Sequence, residues 1–374
     1  MSTTKRKSLT DKVLDLISTA QAVDDVQKNI IPLSFQRFKR SFPGIQRATY
    51  HLITAYSNGG KSQFTCAYFL FEPILKAFYS NGRIKVNVIA FPLEETQEDI
   101  MLRFISYLLY RNLKKVVPKS VLKGTHPEQK IDEETKKYME TKDFQSFLRY
   151  FESCMLFKSA DTMEGIEHEI ERYAEMHGTI GYEEKEEVDE VTGVITTTKV
   201  PESYKIADDN KYVIIWLDHI SLLMPSKGES LKASMDRLSK YLKKKAANFY
   251  KFIPVVVQQQ SGENETQEAV KAKRTRPTRS GLADTKYTYR DADVMMGIYS
   301  PAVHDIPQYA GYDIKKYKDN IRFLSIEKNR DGEVGSTIGL IFCGAMAYFK
   351  EAKKPEDEAG YVADDLKLIE TFRK

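Results

Sequence analysis

The chain has 374 residues, 41% of them hydrophobic and 29% charged, and 57 Lys and Arg against 53 Asp and Glu leave a net charge of +4. A mean hydropathy of −0.46, no apolar run long enough to span a bilayer, and a start (MSTTKRKSL) without the apolar stretch of a secretion signal argue for a soluble protein with no membrane partner. Three widely spaced cysteines, Cys66, Cys154 and Cys343, fit neither a disulfide framework nor a zinc site and point to a reducing cytoplasm.

Residues 1–30 read as an appendage. Leu9, Val13, Leu16, Ile17, Ala20 and Val23 recur at helical spacing, which gives a short helix with one apolar face. The compact domain is expected over 31–352, with a tail at 353–374. Its first clear strand is TYHLITAY, followed by AYSNGGKS at 55–62 and then SQFTCAYFLFEPILKAF, apolar at helical spacing. Strand, glycine loop and helix together make a phosphate-binding loop. Gly59 and Gly60 let backbone N–H groups converge on phosphate oxygens, and the helix N-terminus adds partial positive charge. Ala55, Ser57, Asn58, Gly59, Gly60, Lys61, Ser62 and Gln63 are the expected nucleotide contacts. Lys61 would reach the β and γ phosphates of ATP, and Ser62 would ligate Mg²⁺.

Further β-prone runs follow at 85–91, 211–217, 252–258, 293–299 and 322–328. The nearly unbroken apolar cores of KYVIIWL and FIPVVVQ suit strands buried on both faces of a parallel sheet. The stretch 110–180 reads as mostly helical. Residues 182–210, acidic and then Thr-rich, read as a surface hairpin or loop inserted in the domain. Residues 229–252 place Leu231, Met235, Leu238, Leu242, Ala246 and Phe249 on one helical stripe, and RFLSIEKNRDGEVGSTIGLIFCG reads as a β-hairpin. The fold class is α/β, a mostly parallel sheet flanked by helices.

Carboxylates and cations complete the picture. Asp218 ends the strand VIIWLD, where open α/β sheets bind ligands, and would hold the Mg²⁺ shell through water. Glu94 and Glu95 follow another strand end, where a carboxylate can take a proton from the attacking water; an acidic helix start is the plain alternative. Lys328 and Arg330, two apart on an extended strand, share one face. Late in the chain, they are better placed to reach a neighbouring subunit's phosphate loop than their own.

Taken together, these motifs resemble the ATPase domain of DnaB-type replicative hexameric helicases, a phage and bacterial branch of the RecA-like folds, from about residue 31 to 350. GKS at 60–62 is similar to the family's phosphate loop, FPLE to its F-S-L-E element, LDHISLL to its aspartate motif, IPVVVQQQ to VPVVALSQ, RDADVMMGIYS to QDADVVMFIYR, and KNRDG to KNRNG. The resemblance implies Glu94 as the catalytic carboxylate and Arg103 as a family arginine. It also implies Gln260 as the phosphate-sensing or DNA-coupling glutamine, Arg330 as an intersubunit finger, and Lys328 as its companion. It implies a RecA-like P-loop core with a C-terminal hairpin, and an ATP- and Mg²⁺-dependent helicase acting on single-stranded DNA as a homo-oligomer, expected to be a hexamer. Primase and a helicase loader would be partners in trans, in the cytoplasm of a bacterium or a phage-infected cell. The family's N-terminal helical domain finds no counterpart, and Ala283 and Lys286 stand where the family has Arg and Gly.

Between Gln260 and Asp291 the chain carries Lys271, Lys273, Arg274, Arg276, Arg279 and Lys286 among Gly, Pro and Thr. In related rings this region faces the central channel, where cations follow a single-stranded backbone. The alternatives are a RecA-like recombination or repair ATPase and a ring ATPase that loads or regulates without unwinding.

Overall fold

The computed structural model describes residues 30–374 apart from positions 33, 189–194, 263–265, 267, 270–274, 357–358 and 373–374, and also Thr10 and Leu14. The helix expected near the N-terminus therefore lies, but for those two residues, outside the described residues.

Nine strands form one sheet: β1 His51–Ala55, β2 Lys85–Pro92, β3 Met155–Phe157, β4 Lys211–Asp218, β5 Ile253–Gln259, β6 Val294–Tyr299, β7 Ile321–Asn329, β8 Thr337–Cys343 and β9 Tyr348–Glu351. Their spatial order is β9-β8-β7-β6-β1-β5-β4-β2-β3. The run from β6 to β3 is parallel, whereas β7, β8 and β9 add as an antiparallel meander. The expected strands all form, and β3 is an addition within the helical stretch.

The central strands are apolar throughout because each face meets its own core. Tyr212, Ile214 and Trp216 of β4 join Val88, Val255, Phe64 and Phe104 on one side. Val213, Ile215 and Leu217 join Leu52, Ile89, Val256, Leu238 and Leu242 on the other. Successive side chains alternate between the two layers, so a continuous hydrophobic run is what a doubly covered sheet requires.

The helical run after β1 changes character midway. It is α-helical over Lys61–Thr65, takes a π-helical turn over Cys66–Phe71, and resumes over Glu72–Tyr79. Pro73 lacks an N–H to donate one turn back, and the wider turn, with the Glu72 N–H donating to the Ala67 carbonyl, carries the chain past it.

Of the two peripheral segments, the insertion takes the paired form of the hairpin-or-loop expectation, beginning earlier, and the tail carries a helix. Gly178–Val188 and Ile195–Ile206 pair as a long antiparallel ribbon outside the main sheet. In the C-terminal tail, Ala359–Thr371 is a helix, with Ile369 buried against Tyr312, Tyr317 and Phe323. Among the described residues, no helix is long and apolar enough to cross a membrane.

Candidate active site

β1 delivers the glycine loop to the sheet edge at which the parallel strands end. Gly60 has a φ of +93°, which a side chain would strain. At Gly59 a Cβ would lie 2.8 Å from the Ala55 Cβ and 3.0 Å from the Tyr56 carbonyl oxygen, so the tight return of the chain needs glycine there. Lys61 opens the helix and is buried. Arg322, at the start of β7, supports the loop from below. Its Nε donates to the Gly59 carbonyl at 3.1 Å, its Nη2 pairs with Asp319 at 2.9 Å, and its guanidinium stacks 4.3 Å over Phe342. Sequence reading missed Arg322; its one signal is a cation within the mostly apolar first half of the strand, IRFLSI.

Asp218 and Glu94 converge beside this loop because β4 and β2 are neighbours in register. The Leu93 and Glu94 N–H groups both donate to the Asp218 carbonyl, at 2.8 and 3.3 Å. The Asp218 side chain is fully buried and its Oδ1 has no hydrogen-bond partner among the described residues. Burial raises its pKa to about 7, with Glu94 adding to the rise and the Ser62 hydroxyl and Lys61 opposing it. A buried carboxylate with one orphaned oxygen, beside the Ser62 hydroxyl, fits a Mg²⁺ that keeps several waters and takes the rest of its shell from phosphate. Among the described residues no cluster of His, Cys, Asp or Glu forms an all-protein metal cage.

The two adjacent glutamates have different surroundings. Glu95 forms a bidentate pair with the buried Arg103 and lies 3.5 Å from Lys119. Glu94 is 46% exposed, with His219 Nε2 3.9 Å from its carboxylate. Burial, and then the charge of Lys61, push the His219 pKa below its ordinary value, so a neutral imidazole neighbours Glu94. The next helix, Gln97–Leu113, is capped by Thr96 and has Glu98 and Asp99 in its first turn. Glu94 and Glu95 precede that cap, so the acidic helix start is made by other residues.

The run Gln258-Gln259-Gln260 divides three ways. Gln259 Nε2 donates to Ser57 Oγ of the phosphate loop at 2.6 Å. Gln260, buried, donates to Thr54 Oγ1 and the Thr278 carbonyl at 2.9 and 3.0 Å and accepts from the Thr278 N–H. Gln258 donates to the Ala283 and Thr285 carbonyls and accepts from Thr288. Residues 258 and 260 thus hold the C-terminal part of the segment beyond β5, at 278 and at 283–288, while 259 touches the phosphate loop. Gln259 was not singled out by the sequence reading.

Lys328 and Arg330 stand at the opposite edge of the sheet. Asn329 is in register with Val294, and Val294 with His51 at the start of β1, whereas the phosphate loop follows its end. The Lys328 amine donates to the Tyr289 and Arg290 carbonyls at 2.7 and 2.9 Å. Burial first, and Arg330 next, lower its pKa to about 8. Arg330 lies just past β7, 48% exposed, with Nε 3.3 Å from Asp293 and Nη2 3.2 Å from the Arg290 carbonyl.

Lys271, Lys273 and Arg274 lie outside the described residues. Arg276 is exposed and 3.6 Å from Glu327, Arg279 sits 5.9 Å from the Tyr289 ring, and Lys286 is exposed.

A doubly covered, mostly parallel sheet with a glycine loop after its central strand defines a RecA-like P-loop fold. Residues 158–351 match the family model described as the DnaB-like helicase C-terminal domain, and the chain belongs to that family. The matched span includes Asp218, the three glutamines, Lys328 and Arg330; the phosphate loop and Glu94 precede it. In fold, the chain is similar to a solved structure of an ATPase domain, with a TM-score of 0.61 at 18% identity over 93% of this chain and 100% of that one. It is also similar to a DnaB-like replicative helicase described with its interactions with primase, with a TM-score of 0.60 at 18% identity over 92% of this chain and 67% of that one. No curated protein matches the sequence.

Proposed function

We propose that this chain is an ATP-dependent replicative DNA helicase that hydrolyses ATP between subunits of a homo-oligomer, a hexameric ring, to move along single-stranded DNA and unwind duplex. The observation that carries the reading is the division of chemistry between sheet edges. Lys61, Ser62, Asp218 and Glu94 gather at one edge, and Arg330 stands at the other, so one chain alone holds the loop without the finger.

In this reading Ala55, Ser57, Asn58, Gly59, Gly60, Lys61, Ser62 and Gln63 bind ATP, with the Lys61 ammonium on the β and γ phosphates. Ser62 and Asp218 would hold Mg²⁺, which would supply positive charge to the phosphate oxygens. Glu94 accepts a proton from water as its oxygen attacks the γ phosphorus; the bond to the β–γ bridging oxygen breaks, giving ADP and phosphate. Arg330 of a second copy, with Lys328 beside it, stabilises the charge of the transferring phosphoryl group. Gln259 senses the phosphate loop, and Gln260 and Gln258 pass its state to the segment carrying Lys271, Lys273, Arg274, Arg276, Arg279 and Lys286, which follows the DNA backbone. A primase and a loader are the partners this role calls for, in the cytoplasm.

The test measures ATP turnover with and without single-stranded DNA, and displacement of a labelled strand from a forked duplex, with Lys61→Ala as the inactive control. DNA-stimulated turnover with strand displacement is expected. Stimulated turnover on filaments without displacement would favour a recombination ATPase, and turnover indifferent to DNA would favour a loader or regulator.

A further inference from the structure

Asp293 immediately precedes β6 and is nearly buried, its side chain 10% exposed. Lys243 Nζ contacts both of its oxygens, at 2.6 and 2.7 Å. The Tyr50 N–H donates to Oδ2 at 2.9 Å, and the Asp293 N–H donates back to the Tyr50 carbonyl at 2.9 Å. Tyr50 is the residue before β1, so the carboxylate is fixed at the foot of the strand that carries the phosphate loop.

Lys243 already balances the Asp293 charge. Arg330 is therefore a second cation on a satisfied carboxylate, through one contact of 3.3 Å at Nε. Its backbone N–H donates to the Asp293 carbonyl at 3.1 Å, and Nη2 reaches the Arg290 carbonyl at 3.2 Å. No partner to Nη1 occurs among the described residues. The guanidinium is thus gripped along its Nε–Nη2 edge, and the half-exposed remainder is open to solvent. A planar fork held on one side can present its remaining donors to an anion in a fixed direction.

We propose that Asp293 is the positioning residue of the Arg330 finger. Anchored by Lys243 and the Tyr50 N–H, it aims the free edge of the guanidinium at the γ phosphate bound to a second copy of this chain. The proposal rests on the reading of Arg330 as a finger acting in trans. It assigns Asp293 no contact with nucleotide. Without the carboxylate charge, Arg330 keeps its chemistry and loses its direction.

The experiment measures DNA-stimulated ATP turnover of the full chain, alone and in mixtures under subunit exchange. Asp293→Asn keeps an acceptor for the Tyr50 N–H and removes the charge; kcat should fall about 10-fold or more with KM nearly unchanged. Asp293→Glu keeps the pairing with Lys243 and displaces the carboxylate by one methylene, so a folded protein with kcat reduced several-fold is expected even if the asparagine variant is unstable. Either variant should regain turnover on mixing with Lys61→Ala, which supplies an intact finger, and neither should gain on mixing with Arg330→Ala. A purely structural role would produce neither that pattern nor a loss confined to kcat. Wild-type kcat in both variants, or recovery with Arg330→Ala, overturns the role of Asp293. If Arg330→Ala and Lys61→Ala complement each other while the Asp293 variants do not complement Lys61→Ala, Asp293 falls and the trans finger stands. If that reference pair fails in demonstrated mixed assemblies, the trans finger falls and Asp293 with it.

Discussion

Arg322 and Arg330 bracket a single strand: Arg322 donates to the Gly59 carbonyl of its own phosphate loop, and Arg330 stands against Asp293 at the far edge of the sheet. At about 3.4 Å per residue the strand sets them roughly 25 Å apart. The first cation supports the loop in its own subunit, and the second is out of its reach.

Removing the first cation should therefore weaken nucleotide binding without touching the finger. Arg322→Met keeps the apolar contact with Phe342 and loses the charge-assisted bond to Gly59. A bond of that kind contributes about 1.5–3 kcal/mol, so affinity for a fluorescent ATP analogue should fall about 10-fold or more. An unchanged Kd would mean that the loop holds its shape unaided.

The adjacent glutamates should separate cleanly. Glu94→Gln is expected to bind ATP normally, melt like the wild type, and lose about 10²-fold in turnover. Glu95→Gln takes the charge from the pairing with buried Arg103; a loss on the order of 2 kcal/mol in stability is expected, seen as a lower Tm, with a smaller effect on turnover. The reverse assignment would show the larger turnover loss in the Glu95 variant.

A similar contrast applies to the glutamine run. Gln259→Ala should uncouple DNA from hydrolysis, leaving basal turnover within about 3-fold and abolishing stimulation, because its link to Ser57 is lost. Gln260→Ala removes a buried amide that ties Thr54 to Thr278, so it should also lower Tm. Full DNA stimulation in the Gln259 variant would exclude that route.

Lys328 makes a pH prediction with a definite sign. Its folded pKa, about 8, lies below the ordinary 10.5. Between those values the unfolded chain binds more protons, so this group makes stability rise as pH increases through the window. If its charge assists the finger, turnover falls as pH rises through about 8. Tm and kcat should thus move in opposite directions above pH 8, and Lys328→Arg, charged throughout, should abolish the alkaline fall in kcat. A fall that persists in that variant would assign it to another group.

Two arginines in the loop beyond β5 give a salt-dependence test. Arg276→Ala with Arg279→Ala should lower the slope of log K against log salt for single-stranded DNA by about 0.7 for each lost phosphate contact. An unaltered slope would move the contact elsewhere on the chain.

How much of this was legible depended on range. The sheet strands were, since burial on both faces forces unbroken apolar runs such as KYVIIWL, and the glycine loop declares itself within eight residues. The neighbourhood of Glu95 was not, because Arg103 lies well into the next helix and only the folded helix brings it back. Gln259 was hidden for a different reason. Its contact with Ser57 depends on the parallel register that sets Ala55 beside Gln259, and parity within three identical residues cannot be read without it. Arg322 and Asp293 needed the antiparallel return of β7 alongside β6. The stretch 353–374 read as a tail, although Ala359–Thr371 is a helix, because the burial of Ile369 depends on Tyr312, Tyr317 and Phe323, which its own sequence does not bring near.

The ribbon of Gly178–Val188 and Ile195–Ile206 has a mechanical consequence. At about 3.4 Å per residue its longer axis extends roughly 35 Å, and past the bulge at Gly181 and Tyr182 residues 182–186 and 195–201 are mostly solvent-exposed. Its root is anchored, with the Tyr204 hydroxyl donating to the Ala174 carbonyl at 3.1 Å and the ring packed on Tyr250 and Phe252. Beyond that root the described arm is held by cross-strand pairing, and a pair of strands outside a larger sheet is marginal in water. The amides of its outer half should exchange with deuterium long before those of β4, and the two strands can be shortened together, pair by pair, without disturbing the sheet that carries the phosphate loop. The arm is an outrigger whose length is set independently of the engine it is attached to.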